Sequence, residues 1–421
     1  MEIGIIGLGD MGKLYANKFV RAGYAVNGCD LPVKRDKLEE ELSGIGINIL
    51  EDGIAVSRNS DMIFYSVEAE NIEKAIERYG PSTKTRAIVA GQTSVKTPEI
   101  KAFERYLPKD VNIVTCHSLH GPSVDPIGQS LVVIRHRSTD NAYKSALNTL
   151  EVLGSNIVEI PDYKEHDKIT ADTQAVTHIG FESMGTAWKN AGFYPWENTS
   201  YIGGIDNVKV LMALRIYGGK GHVYSGLAIL NPFAREQVRQ YAKSESELFK
   251  MMIKEDEIAF KERIMKATDF VFKNVDSPIF LDNNVMGEFS LGINSDNRTP
   301  NSHLSLLAMI DAWYQMRINP YNNLICQTPP FRLRLGIAEY LFRDKELLYE
   351  SLQTALSDKK IRGDDLEFHS AVREWASIIE RKDLVGYKQQ FDETRSFFKD
   401  RIPEAMKKST ELIKRLTIGS K

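Results

Sequence analysis

The stretch that most restricts how this chain can fold is its first thirty residues. Ile3 to Ile6 form a short, β-branched apolar run, as expected of a strand buried on both faces of a parallel sheet. Gly7, Gly9 and Gly12 follow in the spacing G-x-G-x-x-G, with Asp10 and Met11 inside it. Leu14, Tyr15, Phe19 and Val20 then recur at helical intervals, and Ala25 and Val26 open a second strand that ends at Asp30. Gly7 permits the tight turn, Gly9 lets the backbone approach a pyrophosphate, and Gly12 lets helix and strand pack closely. The helix N-terminus adds N–H groups and a positive dipole end. Strand, turn, helix and a later acid form the context that dinucleotide binding requires. A glycine-rich turn without a ligand is the bland alternative.

The loop after Asp30 bears on which dinucleotide. An acid at the end of the second strand hydrogen-bonds the ribose hydroxyls of NAD, whereas nearby basic residues accommodate the extra phosphate of NADP. Asp30 argues for NAD; Lys34 and Arg35 argue for NADP, unless they are only a solvated loop.

A chain of 421 residues has room for two or three domains. A net charge of −3 argues against a nucleic-acid binder, which carries a basic face. No apolar run reaches bilayer-spanning length, so no membrane partner is expected. A strand starting at residue 2 or 3 leaves no room for a leader peptide. Cys29, Cys116 and Cys326 are few, odd in number and far apart, which suits free thiols in a reducing compartment; the cytoplasm is the expected location. No histidine pair has zinc-binding spacing, so no metal is expected.

Along the first domain, strands are expected at Met62–Val67, Ala87–Ala90, Val111–Thr115, Leu131–Ile134 and Asn156–Ile160. Helices are expected at Glu70–Tyr79, Thr97–Tyr106 and Asp140–Leu153. The alternation specifies an α/β fold, a Rossmann-type doubly wound parallel sheet. An all-α C-terminal region follows. Domain boundaries are expected at 1–163, 164–288 and 289–421. Long helices are expected through His166–Gly192, Asn301–Tyr321 and Pro329–Leu356, with a loop at Ser290–Ser302. His178 and Trp188 in one helix are echoed by His303 and Trp313 in another, at the same spacing. Tyr217 with Asn231 and Pro232 finds a looser echo in Phe331 with Asp344 and Lys345. These echoes point to two related helical units, with coincidence among Leu- and Ala-rich helices as the alternative.

In a doubly wound sheet, ligands bind beyond the carboxyl ends of the strands. Two strands end there in polar residues: Ser94 on one, His117 on the next. An imidazole titrates near neutrality and can take a proton from an alcohol, so His117 is the candidate base. His120, three residues on, competes with it. Ser94 could hydrogen-bond the imidazole or a substrate hydroxyl, and Lys96 could offer charge to an anionic ligand; either could instead serve a helix start or a solvated loop. Ser66, just past a strand end, belongs with the cofactor-binding candidates. His178 sits on an apolar helical stripe, where a satisfied core histidine is the ordinary case. His166 and Asp167 read as a helix start that could also fold over the cleft.

At these residues the chain resembles the prephenate dehydrogenase family, in its fungal form. The resemblance rests on IGIIGLGDMGKLYANKF, GQTSVKTPEI, YLPKDVNIVTCHSLHGP, EHDKITADTQAVTHIGFESMGTAW, PNSHLSLLAMIDAWYQ and PFRLRLGIAEYLF, and runs over nearly the whole chain. It implies an oxidative decarboxylation of prephenate to 4-hydroxyphenylpyruvate in tyrosine biosynthesis. It places the catalytic histidine on His117, the hydroxyl-binding serine on Ser94 and a substrate histidine on His178, and implies NADP. Bacterial relatives carry a substrate-binding arginine where this chain has Gly226. A buried unpaired carboxylate is costly, so another cation is expected; Lys220, Arg215, His222 and Arg332 are the candidates. Arogenate dehydrogenase is the neighbouring alternative, and a non-catalytic dinucleotide-binding regulator the alternative outside enzymes. A homodimer and a pseudo-dimeric monomer both remain open.

Overall fold

The computed structural model describes residues 1–273, 291, 299–326 and 328–418. They form two compact units: Met1–Thr170 with Leu230–Pro232, and Ala171–Ile229 with Phe233–Lys421.

The first unit is an eight-stranded sheet in the order β3-β2-β1-β4-β5-β6-β7-β8. Its elements are β1 (Glu2–Ile6), α1 (Asp10–Arg21), β2 (Ala25–Cys29), α2 (Arg35–Glu41), β3 (Ile47–Ile49), α3 (Gly53–Asn59) and β4 (Met62–Tyr65). There follow α4 (Ile72–Tyr79), β5 (Ile88–Gly91), α5 (Lys96–Tyr106), β6 (Asn112–Ser118), β7 (Ser130–Arg137), α6 (Asp140–Glu151), β8 (Asn156–Ile160) and α7 (Tyr163–Thr170). Successive strand residues point to opposite faces, and both faces are covered. Ile3, Ile5, Met62, Phe64, Val114 and Cys116 join Tyr15 and Phe19 of α1 and Leu150 of α6 in one core. Ile6, Ile63, Tyr65, Val89 and Ile113 join Ile72 and Ile76 of α4 and Phe103 of α5 in the other.

Three expectations need correction. The sheet is not wholly parallel, because β6 and β7 run antiparallel. The loop between them carries no crossover helix, and a parallel return needs one. The polar stretch before β4 contains α2, β3 and α3, with Asp52 capping α3 by accepting from the N–H groups of Ile54 and Ala55. The β6 strand runs on to Ser118, so His117 lies within it and not beyond its tip.

The second unit is helical. A π segment, Ala171–Ala175, precedes α8 (Val176–Ala191). Then come α9 (Gly204–Tyr217), α10 (Gly221–Ser225), α11 (Ala234–Lys254), α12 (Glu257–Phe272) and α13 (Leu304–Met316). The last are α14 (Pro329–Arg343), α15 (Lys345–Ser357), α16 (Lys359–Glu380), α17 (Leu384–Phe397) and α18 (Ile402–Ile418). The single helix expected across Pro329–Leu356 is two, broken at Asp344, whose side chain accepts from the N–H groups of Glu346 and Leu347. Asp256, Asp358 and Asp383 cap α12, α16 and α17 in the same way. Most of the loop expected at Ser290–Ser302 lies outside the described residues.

Packing in this unit is reciprocal. Helix α8 lies on α16 as α13 lies on α11. Helices α9 and α14 touch each other, as do α11 and α16. Helix α12 packs on α13 and α14, while α17 packs on α8 and α9. No described helix is long and apolar enough to cross a membrane.

Candidate active site

The glycine turn connects β1 to α1 where the strand order reverses between β1 and β4. Gly7 has φ +101°, and a Cβ there would lie 2.4 Å from the Ser66 carbonyl. A Cβ on Gly12 would lie 2.0 Å from the Gly7 carbonyl. Both positions therefore require glycine. A Cβ on Gly9 would meet nothing within 4 Å, so the surface beside it is open. Gly9 is the N-cap of α1 and supplies no capping side chain. This open backbone at a helix N-terminus fits a pyrophosphate. Asp10 and Met11 open the helix, and Ser66 flanks the turn from the end of β4.

At the end of β2, the Asp30 carboxylate accepts from the Leu31 N–H at 2.7 Å and from Lys34 Nζ at 3.0 Å. Arg35 Nε pairs with Glu39 at 2.8 Å. The acid expected to favour NAD is thus neutralised by the adjacent lysine.

Strands β5 and β6 are parallel neighbours, so their carboxyl ends emerge at one edge. Ser94 occupies a bend between the end of β5 and the start of α5. His117 is buried near the end of β6. Its Nδ1 lies 2.9 Å from His166 Nε2, and His166 Nδ1 lies 2.9 Å from Asp167 Oδ1. The same carboxylate accepts from the N–H groups of Lys96 and Thr97, each at 2.7 Å, at the N-terminus of α5. Helix α7, which carries both residues, is started by Asp162, which accepts from Lys164 and Glu165. Asn231 Nδ2 holds its far end by donating to the Asp167 carbonyl at 2.7 Å. Burial, aided by the charges of His166, Lys96 and His120, pushes the His117 imidazole well below its ordinary value. His166 is also lowered by burial, with Asp167 opposing. His120 lies in the following loop, with Nδ1 at 3.0 Å from the Gly121 carbonyl.

Lys96 does not offer its charge to a ligand. It is fully buried, 3.1 Å from Glu99 Oε1. It also donates to the carbonyls of Gly91 and Cys116, at 3.1 and 2.6 Å, and to Thr115 Oγ1 at 3.2 Å. Thr93 and Thr115 donate to the same Glu99 carboxylate. This knot ties the end of β5, the start of α5 and the middle of β6 beside His117. Tyr15 of α1 completes the floor, with its hydroxyl 2.8 Å from Ser118 Oγ.

In the second unit His178 is buried edge-on to the Tyr224 ring, with centroids 4.9 Å apart. Burial, reinforced by the Arg334 charge, pushes it down to about 3. Its Nδ1 has no hydrogen-bond partner among the described residues, nor does Nε2 of Gln174 in the preceding π segment. Unpaired buried polar atoms call for a partner, and π segments recur at functional sites. Arg334 is fully buried; it donates to the carbonyls of Val176 and Thr177 at 2.9 and 2.7 Å, and to the Tyr241 hydroxyl at 3.2 Å. Glu182, one turn after His178, accepts from the Tyr387 hydroxyl and is pushed up to about 8 by burial. Arg215 donates to the hydroxyls of Ser409 and Thr410, both at 3.0 Å. Lys220 is exposed at the start of α10.

These features were compared with known proteins. A family model described as a 6-phosphogluconate dehydrogenase C-terminal domain matches residues 175–418, and one described as an NADP oxidoreductase, coenzyme F420-dependent, matches residues 2–90. A Saccharomyces cerevisiae protein named as an NADP(+) prephenate dehydrogenase is 48% identical over 421 residues, covering 98% of this chain and 93% of its own. The chain belongs to the prephenate dehydrogenase family. A Schizosaccharomyces pombe protein named as a probable member of the same NADP(+) type is 46% identical, covering 99% of this chain and 97% of its own. The crystal structure of prephenate dehydrogenase from A. aeolicus with hydroxyphenyl propionate and NAD+ shares the fold. It is 18% identical with a TM-score of 0.51, covering 62% of this chain and 94% of that one. Among the residues of this family member that motif reading undervalued are His166 and Asp167. The adjacent His-Asp pair ahead of a helical run was the available signal.

Proposed function

We propose that the chain catalyses oxidative decarboxylation of prephenate to 4-hydroxyphenylpyruvate, with NADP as the oxidant, in tyrosine biosynthesis. The observation that carries this reading is His117: a buried imidazole near the carboxyl end of a sheet strand, in a chain 48% identical to an NADP(+) prephenate dehydrogenase. Gly7, Gly9 and Gly12, with Ser66 and the start of α1, hold the dinucleotide. NADP supplies the hydride acceptor. His117 takes the proton of the C4 hydroxyl, so that the O–H electron pair becomes the second C–O bond as the C4 hydrogen leaves with its pair. The ring carboxylate departs as CO2, its bonding pair closes the aromatic ring, and the phenolic oxygen takes up a proton. Ser94 orients the hydroxyl, and His178 contacts the substrate through its unpaired nitrogen. Reduced-nicotinamide absorbance, recorded with prephenate or arogenate and with NADP or NAD, tests the reading. Turnover is expected with prephenate and NADP; turnover with arogenate alone changes the substrate, and none with any pair overturns the enzyme.

The loop after β2 supports NADP. With Asp30 neutralised by Lys34, Lys34 and Arg35 leave the ribose edge open to a further phosphate. Replacing both by alanine is expected to raise the Kd for NADP more than that for NAD, measured by titration of the full chain. Equal weakening removes them from the phosphate site.

We infer further that the helical unit is an internal pair. His178, Trp188 and Lys209 recur, at one constant shift along the chain, as His303, Trp313 and Arg334. Lys209 Nζ lies 2.7 Å from His303 Nδ1, just as Arg334 adjoins His178. Residues 164–288 and 289–421 are then two related halves, and a single chain has the interface that a homodimer would otherwise supply. Buried free thiols at Cys29 and Cys116 support a reducing cytoplasmic location.

A further inference from the structure

We propose that His166 and Asp167 are positioning residues that fix the proton of His117 on Nδ1 and keep its Nε2 free to accept. The proposal rests on His117 being the base. The argument needs only donor and acceptor chemistry. A carboxylate can accept but not donate. Asp167 already accepts from two backbone N–H groups at the N-terminus of α5, a place that favours negative charge. Its 2.9 Å contact with His166 Nδ1 therefore requires that nitrogen to carry the hydrogen. Burial holds His166 in its neutral form, and a neutral imidazole has one N–H. His166 Nε2 is then a lone pair. It lies 2.9 Å from His117 Nδ1, which must be the donor. His117 Nε2 is left as the acceptor.

The chain Asp167, His166, His117 runs from helix α7 to strand β6, and all three side chains are buried. No other tautomer of His117 satisfies both contacts while both rings are neutral. When the substrate O–H bond breaks, the proton forms an N–H bond at His117 Nε2. The resulting positive charge sits in line with the Asp167 carboxylate, which steadies it without itself taking a proton. Such a carboxylate acts by orienting the ring and opposing the charge that forms. Lys96, close to both imidazoles, is held in its ion pair with Glu99, so the negative end of the chain is Asp167.

The direct test is the tautomer of His117 in the full-length protein, read from 15N-histidine NMR and assigned by loss of the signal in His117→Asn. An Nδ1–H signal with an unprotonated Nε2 is expected; an Nε2–H tautomer overturns the proposal and needs no variant to fold. The functional test compares His166→Leu with His166→Gln. Glutamine can place an amide oxygen near the position of Nε2 and accept from His117; leucine cannot. His166→Leu is expected to lower kcat by about 10- to 100-fold, a fraction of the general-base effect, with NADP affinity unchanged. His166→Gln is expected to recover most of that loss. Equal losses in the two variants, or none in either, overturn the relay. If His117→Asn leaves turnover intact, the base assignment itself has failed, which separates the two conclusions.

Discussion

Replacing His117 with asparagine is expected to lower kcat by about 10²–10⁴-fold, the range for loss of a general base. Asparagine keeps a polar group near Nδ1, so the contact with His166 and the packing of β6 should survive. Binding of NADP, measured by fluorescence titration, should be unchanged, since the glycine turn lies on β1 and the imidazole on β6. Unchanged kcat, with His120→Asn inactive, moves the base to His120. The pH profile carries an independent expectation. The base works unprotonated, and burial pushes His117 well below the ordinary imidazole value. Lowering the pH through about 6.5, the unperturbed value, should therefore not reduce kcat/KM; the acid limb should appear only below it. A limb centred at or above 6.5 contradicts the assignment of a buried base.

Lys96→Met is expected to destabilise the protein by about 3–5 kcal/mol, the usual cost of removing one partner from a buried ion pair. Lys96 and Glu99 are both fully buried, so the remaining carboxylate would be left without its cation. A double change, Lys96→Met with Glu99→Leu, should recover much of the loss, because replacing both charges by apolar groups is often close to neutral. Urea unfolding of the full chain provides the measure. An unchanged midpoint, with a raised KM for substrate, would return Lys96 to ligand binding.

The contrast between these two residues shows how far the sequence was legible. The turn from β1 to α1 could be read because three glycines, a doubly buried strand and a helix each impose their own spacing. His117 could be read because an imidazole beside a glycine turn at a strand end has few structural uses. Lys96 was read as free charge because its partners Thr115 and Cys116 are distant in sequence, although Glu99 at helical spacing was a usable sign. The relay behind His117 was hidden because Asp167 reaches α5 only through the fold. Strand direction at β7 left no mark in its apolar run; the glycine- and proline-bearing loop before it was the clue. The break at Asp344 had a local cause, since an aspartate ahead of Glu346 and Leu347 can end one helix and start another.

The reciprocal packing of α8 on α16 and of α13 on α11 has a thermodynamic consequence. Two separate subunits joined across such a surface would part on dilution, and their melting temperature would follow protein concentration. Here the two sides share one backbone, so their encounter is unimolecular and the local concentration is set by the tether. The unfolding midpoint of this region should stay constant across a hundredfold dilution series. One half of a tethered pair is also released from having to keep the chemistry of the other.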